Sequence, residues 1–268
     1  MDLLLALDGG GTKTDLALAS LAGEVLAQAR VGGSSRSRRS AAEVERELAQ
    51  GLDQVLAQAA APARACRAVC GGFASAANPD HQRFYHALLA ARFPQAHIQV
   101  VPDAEIAWRG ATAGADGLVV IAGTGSIAWG HYRGRLARAG GAGPGPGPDN
   151  DPGSADWLGR QAVAAGLLPA PSDANFAALA PALAPALAAD PRARALLERA
   201  GLELARLLQR CADQLAWPDP IAYPVGGVFT HLPAVRAALA RAWPHPLRPP
   251  LASPLAGALA AARALLAP

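Results

Sequence analysis

The chain has 268 residues, with 24 lysines and arginines against 21 aspartates and glutamates, so its net charge is only +3. That surplus is scattered, and a nucleic-acid partner is not expected; a small anionic ligand fits better. Three cysteines without a CxxC pair suggest neither a disulfide framework nor a zinc pattern, and a reducing cytoplasm is the expected location.

Residues 3–33, LLLALDGGGTKTDLALASLAGEVLAQARVGG, open the chain. In a P-loop or a dinucleotide fingerprint the glycines would open a helix, and a period of 3.6 would follow. Here the residues after Gly11 alternate instead, with Leu16 and Leu18 separated by small residues. The pattern predicts three antiparallel strands, with the glycine turn inside the first hairpin, and excludes a Walker A site. Residues 41–60 then predict an amphipathic helix, CRAVCGG a strand, residues 80–92 a helix and HIQVV another strand. Cys66 and Cys70 read as strand and core residues.

Residues 118–141, LVVIAGTGSIAWGHYRGRLARAGG, repeat the opening design: apolar strand, glycine-threonine turn, alternating strand, glycine turn, alternating strand. Two β-β-β-α-β-α halves are implied. Residues 170–216 predict alanine- and leucine-rich helix interrupted by prolines, and IAYPV a further strand before Gly226 and Gly227. Trp129 and Trp157 read as core aromatics, and the six histidines show no metal-ligand spacing. No apolar run reaches the roughly 18 residues of a membrane span, and the start lacks the basic region and cleavage site of a signal peptide, so a soluble protein is expected.

Taken together, these segments resemble the actin-like ATPase superfamily, and within it the N-acetylglucosamine kinase / BadF-BadG-BcrA-BcrD ATPase family. DGGGTKT resembles the family's first phosphate motif, IAGTGS its second, PVGGVF its adenosine motif, PDAEIA its catalytic aspartate segment and SPLAGALAAARALL its closing helix. GGAGPGPGPDNDPGSADWLGRQAV resembles its sugar-side block. The resemblance implies an α/β protein of duplicated actin-like (ribonuclease H-like) domains with an interdomain nucleotide cleft. The expected division is 1–102, with the helix 254–267 packing back onto it, and 103–268.

The resemblance further implies an ATP-dependent kinase acting on an amino sugar hydroxyl, with glucosamine or N-acetylglucosamine as acceptor. ATP and Mg²⁺ would be the cofactors, and a homodimer is possible. Asp103, at the end of a predicted strand, would be the general base, although the same residue would also serve as a helix N-cap. Asp8, among phosphate-binding amides, would hold Mg²⁺ through water, and reads otherwise as an Asx-type turn residue. Gly9, Gly10, Gly11, Thr12 and Lys13 would bind phosphate from one half, and Gly123, Thr124, Gly125 and Ser126 from the other. Lys13 is the only lysine in an arginine-biased chain. Gly226 and Gly227 would approach adenosine, or form an ordinary strand-to-helix turn.

On the sugar side, Ser35, Asp103 and Asp151 would contact the hydroxyls. Ser35 stands where the family has asparagine, Pro152 where it has an acidic residue, and the stretch GPGPGPDN is expanded. The neighbouring Arg36, Arg38 and Arg39 would face either solvent or a negatively charged substrate. Two other readings remain: an ATPase that activates a partner enzyme, and a catalytically weakened binding relative.

Overall fold

The computed structural model describes residues 1–142, 150–185 and 190–267. The expanded GPGPGP stretch lies outside them. The chain divides into two compact units, Met1–Gly114 with Leu251–Pro268, and Ala115–Pro250.

The first unit begins with the expected meander, β1 (Leu3–Gly9), β2 (Lys13–Ser20) and β3 (Val25–Gly32). Helix α1 (Ala41–Gln58) follows, then β4 (Cys66–Phe73), α2 (Pro79–Arg92), β5 (His97–Pro102) and α3 (Asp103–Thr112). The sheet order is β3-β2-β1-β4-β5, antiparallel through β3, β2 and β1 and parallel through β1, β4 and β5. Such a sheet is covered on both faces, which is why β1 reads as an unbroken apolar run. Leu3, Leu5 and Leu7 pack with Val44, Leu48, Leu52 and Val55 of α1. Leu4 and Ala6 point the other way, toward Ile106 of α3 and toward Ala258, Ala261 and Ala262.

Helix α1 starts where the sequence marks it, since Ser40 and Glu43 form a reciprocal capping box. The division between units falls after α3 rather than before Asp103. The cause is packing: α3 lies on the small-residue face of the first sheet beside the C-terminal helix, whose residues belong to the same unit.

The second unit repeats the design with β6 (Gly117–Ala122), β7 (Ser126–Tyr132) and β8 (Arg135–Gly140). Helices α4 (Ala155–Ala164) and α5 (Pro191–Leu215) precede β9 (Ala222–Val225), and α6 (Gly227–His231) and α7 (Pro233–Ala242) come after it. The order β8-β7-β6-β9 matches the first four strands of the other sheet. The fifth position is reduced to a single parallel bridge between Ala222 and Leu247. Leu197, Leu204, Leu208 and Cys211 of α5 pack with Leu118 and Val120 of β6, and Trp157 is wholly buried among them. Helix α8 (Pro254–Ala264) returns the chain to the first unit. None of the helices among the described residues is long and apolar enough to cross a membrane.

Candidate functional site

The glycine turn of the first unit closes the β1–β2 hairpin, where the Gly10 N–H donates to the Lys13 carbonyl oxygen at 2.9 Å. Residues 33–34 press against it. Ser34 N–H donates to the Gly10 carbonyl at 3.0 Å, and a methyl on Gly33 would overlap the Gly11 backbone carbonyl. Only glycine fits there. Gly9 is equally confined, between the Phe73 ring and the Ser34 hydroxyl. Thr12 and Lys13 are exposed at the tip.

Strand periodicity sorts the polar side chains around this turn. Asp8 falls on the same face of β1 as Leu4 and Ala6, the face covered by α3. Asp15 is its direct partner on β2, and Lys13, two residues earlier on that strand, shares the face. Asp15 holds Lys13 through an ion pair of 3.3 Å and Arg30 through a bidentate contact. Burial alone would raise the Asp15 carboxyl, but Arg30 and Lys13 outweigh it and hold the group below the ordinary carboxylate value.

Asp8 shows the opposite balance. Burial pushes its carboxyl up to about 7, and the nearby charges of Asp103 and Asp15 add to the shift, while Lys13 and Arg30 only partly oppose it. Asp103 is therefore within electrostatic reach of Asp8. The capping alternative for Asp103 does not hold in the expected form: Pro102 occupies the N-cap, and Asp103 is the first residue of α3. Its Oδ1 accepts from the Ala104 N–H at 2.9 Å, and an acidic group in a first helical turn is favoured by the helix dipole. β5 ends at Pro102, paired with Phe73 in the parallel part of the sheet. Asp8 and Asp103 thus stand at the carboxyl ends of parallel strands, where ligands of open α/β sheets bind. Among the described residues, no three His, Cys, Asp or Glu side chains group as metal ligands.

The loop after β3 is held from within. Tyr85 of α2 donates to the Ser34 carbonyl at 2.6 Å, lies 2.9 Å from the Ser75 hydroxyl, and accepts the Arg36 N–H at 3.0 Å. Its ring stacks on Phe73 with centroids 3.9 Å apart. Ser35 itself is buried, and its hydroxyl meets that of Ser37 at 2.8 Å. Thr14 adds a further tie, donating to the Gly32 carbonyl and lying 2.8 Å from the Ser34 hydroxyl. Asp15, Thr14, Ser75 and Tyr85 were not marked by motif. The i, i+2 spacing of Lys13 and Asp15 on a predicted strand was the one available signal; Tyr85 and Ser34 are 51 positions apart.

In the second unit, the turn Gly123, Thr124, Gly125 joins β6 to β7, and the Gly123 N–H donates to the Gly125 carbonyl at 3.0 Å. The start of α4 docks on this turn, where Ala155 N–H donates to the Gly123 carbonyl at 2.8 Å. The Ser126 hydroxyl is committed to the Pro152 carbonyl at 2.8 Å, which leaves it as a tie between turn and loop. Asp151 adopts a left-handed φ of 48° and accepts the Ala142 N–H at 3.1 Å. Its other carboxyl oxygen would lie 2.5 Å from a methyl on Gly125, so the structure brings Asp151 onto the second glycine turn. Gly226 has φ 115°, and a methyl there would overlap the Ala122 backbone; a methyl on Gly227, which begins α6, would meet only the His231 ring, at 3.7 Å.

Each unit is therefore an actin-like α/β domain opening with a glycine hairpin, and the protein is a duplicated actin-like ATPase fold. The chain belongs to the BadF/BadG/BcrA/BcrD ATPase family, whose model matches residues 5–258. It is 33% identical over 168 residues to an N-acetylmuramic acid/N-acetylglucosamine kinase of Clostridium acetobutylicum. That match covers 62% of this chain and 54% of the relative, so the chain spans about half the length of the curated protein it matches. A solved structure provisionally named an N-acetylglucosamine kinase, from Chromobacterium violaceum, superposes with a TM-score of 0.74 at 25% identity, covering 97% of this chain and 98% of that one. A second, from Porphyromonas gingivalis and provisionally named likewise, gives 0.73 at 22% identity over 96% and 97%.

Proposed function

We propose that the protein is an ATP-dependent kinase that phosphorylates a hydroxyl of an amino sugar, with glucosamine or N-acetylglucosamine as acceptor. The observation that carries this reading is the electrostatic coupling of Asp103 to Asp8 at the carboxyl ends of parallel strands, beside a turn in which a methyl on Gly33 would overlap backbone. Kinase relatives at 33% and 25% identity support the class of reaction.

In this reading Asp103 accepts the proton as the sugar oxygen attacks the terminal phosphorus and ADP departs with the bridging oxygen. Gly9, Gly10, Gly11, Thr12 and Lys13 receive phosphate in the first unit. In the second unit the turn Gly123, Thr124, Gly125 has the same role, and Gly226 and Gly227 approach adenosine. Ser126 contributes through its backbone, because its hydroxyl is already engaged by Pro152. Asp8 fits a Mg²⁺ held through water: it is a half-buried carboxylate within electrostatic reach of two others, with too few protein ligands for a closed cage. The chemistry supplied by Mg²⁺ when bound is neutralisation of phosphate oxygens. Ser35, Asp103 and Asp151 are assigned to the sugar.

The activator reading, in which cysteines hold an iron–sulfur cluster, is less well supported. Cys66, Cys70 and Cys211 are all buried, and burial pushes their thiols up to about 11, 12 and 12, respectively. The test is ATP consumption across glucosamine, N-acetylglucosamine, N-acetylmuramic acid, N-acetylmannosamine, glucose and a blank. Turnover confined to amino sugars is expected. Equal turnover in every well, blank included, would overturn the proposal.

A further inference from the structure

The three arginines after β3 do not share one fate. Arg36 donates to the Arg39 carbonyl and lies over the Phe84 ring, 5.1 Å from its centroid. Arg39 pairs with Glu47 at 3.6 Å, and that carboxylate also accepts the Gly32 N–H at 2.8 Å. Both are half-buried parts of the loop. Arg38 is exposed and has no acidic partner among the described residues. Its side chain lies along the glycine turn: a methyl on Gly11 would sit 3.2 Å from Cδ, 3.4 Å from Nε and 3.8 Å from Cζ.

An exposed arginine usually wanders in solvent, because ordering a long side chain costs entropy. Here the backbone that carries it is fixed. Tyr85 and Ser75 hold Arg36 N–H, Ser34 N–H donates to the Gly10 carbonyl, and Arg38 N–H donates to the Ser35 carbonyl at 3.0 Å. The loop therefore presents Arg38 to the turn while its two neighbours are consumed internally. The local charge calls for such a group. Asp8, Asp15 and Asp103 gather near the turn, while Lys13 and Arg30 are both engaged by Asp15. An oxyanion arriving at the turn meets unspent positive charge in Arg38, and a guanidinium fork suits a phosphoryl or carboxylate group.

We propose that Arg38 is an anion-binding residue whose guanidinium receives an oxyanion seated on the Gly10–Gly11–Thr12 turn. That oxyanion is a terminal phosphoryl group of the nucleotide or a carboxylate on the acceptor. The proposal extends the kinase reading, yet its first readout does not depend on turnover.

The experiment compares wild type, Arg38→Ala and Arg38→Lys, with Arg83→Ala as a surface control. Dissociation constants for MgATP and MgADP are measured by calorimetry, and the affinity and KM for N-acetylglucosamine and for N-acetylmuramic acid, which carries a carboxylate, are measured alongside. Arg38→Ala should weaken one oxyanion ligand by about tenfold to a hundredfold, the range of a lost charge-assisted contact. Arg38→Lys should restore part of the loss. Weaker MgATP with MgADP spared places the terminal phosphoryl group on Arg38; weakening confined to the acidic sugar places the carboxylate there. If neither ligand changes, or if Arg83→Ala produces the same loss, the proposal is overturned. Wild type that binds MgATP but turns over no sugar would sink the kinase reading and leave this assignment to the binding data.

Discussion

Asp103 follows directly on β5 and lies close enough to Asp8 for its charge to disfavour ionisation of the Asp8 carboxyl. One of its hydrogen bonds, accepted from the Ala104 N–H, stays within the first turn of α3, and asparagine keeps an oxygen that can accept it. Asp103→Asn should lower turnover by about 10²–10⁴, the usual weight of a positioned general base, with MgATP affinity nearly intact. Steady-state kinetics beside calorimetry check both halves; retained turnover would remove Asp103 from the mechanism. Asp8 yields a prediction in pH. Its folded-state pKa of about 7 exceeds the 3.8 of an ordinary aspartate, so the folded chain holds the proton more tightly than the unfolded one. Asp8 costs no stability below about pH 4, and stability is lost as pH rises through 7, by on the order of 4 kcal/mol for a shift of this size. Without divalent ions, Tm should fall from pH 5 to pH 8 more steeply in wild type than in Asp8→Asn, and Mg²⁺ should restore it at pH 8. Parallel curves for the two proteins would contradict the assignment.

At the scale of elements, the hairpins were legible because period-two alternation after a glycine turn has few other meanings, and α1 because residues 41–60 carry an amphipathic helical pattern. The links between elements were not. Tyr85 is one of several aromatics near α2, and nothing local marks it as the residue whose hydroxyl joins Ser34, Ser75 and Arg36. The same holds for the fate of Ser126, whose hydroxyl finds a carbonyl 26 positions away. Asp103 was legible in position but double in meaning, and the structure places Pro102 at the cap and Asp103 in the first turn of α3. The Tyr85 network makes a sharp test of how the loop after β3 is held. Tyr85→Phe keeps the stack on Phe73, leaves the Arg36 N–H with the Ser75 hydroxyl alone and strands the Ser34 carbonyl, at a cost of about 1–3 kcal/mol for the unsatisfied group. Tm should drop, and the KM for sugar should rise more than the KM for ATP. An unchanged sugar KM would show that the loop keeps its shape without the network.

Over the whole chain, duplication was readable from the repeated meander, yet the two copies differ where the sequence is least informative. The fifth strand of the second sheet survives as one bridge at Leu247, too short to leave an alternating pattern. The C-terminal helix α8 packs on the sheet of the first unit, so that unit is assembled from both ends of the chain while the second is continuous. Its contact is close because it is built from small residues: the Ala252 N–H donates to the Gly110 carbonyl at 2.9 Å, and Ala258, Ala261 and Ala262 lie against Leu4, Ala6 and Ile106. Removing residues 251–268 would expose that face of the sheet and the apolar side of α3 together. The first unit should then lose cooperative unfolding and become sensitive to protease, whereas residues 115–250 keep a complete core and should remain protected. Limited proteolysis with mass mapping of the fragments checks this. Equal protection of both units in the truncated chain would mean that the first sheet stands without α8, and that the two-ended assembly contributes little to its stability.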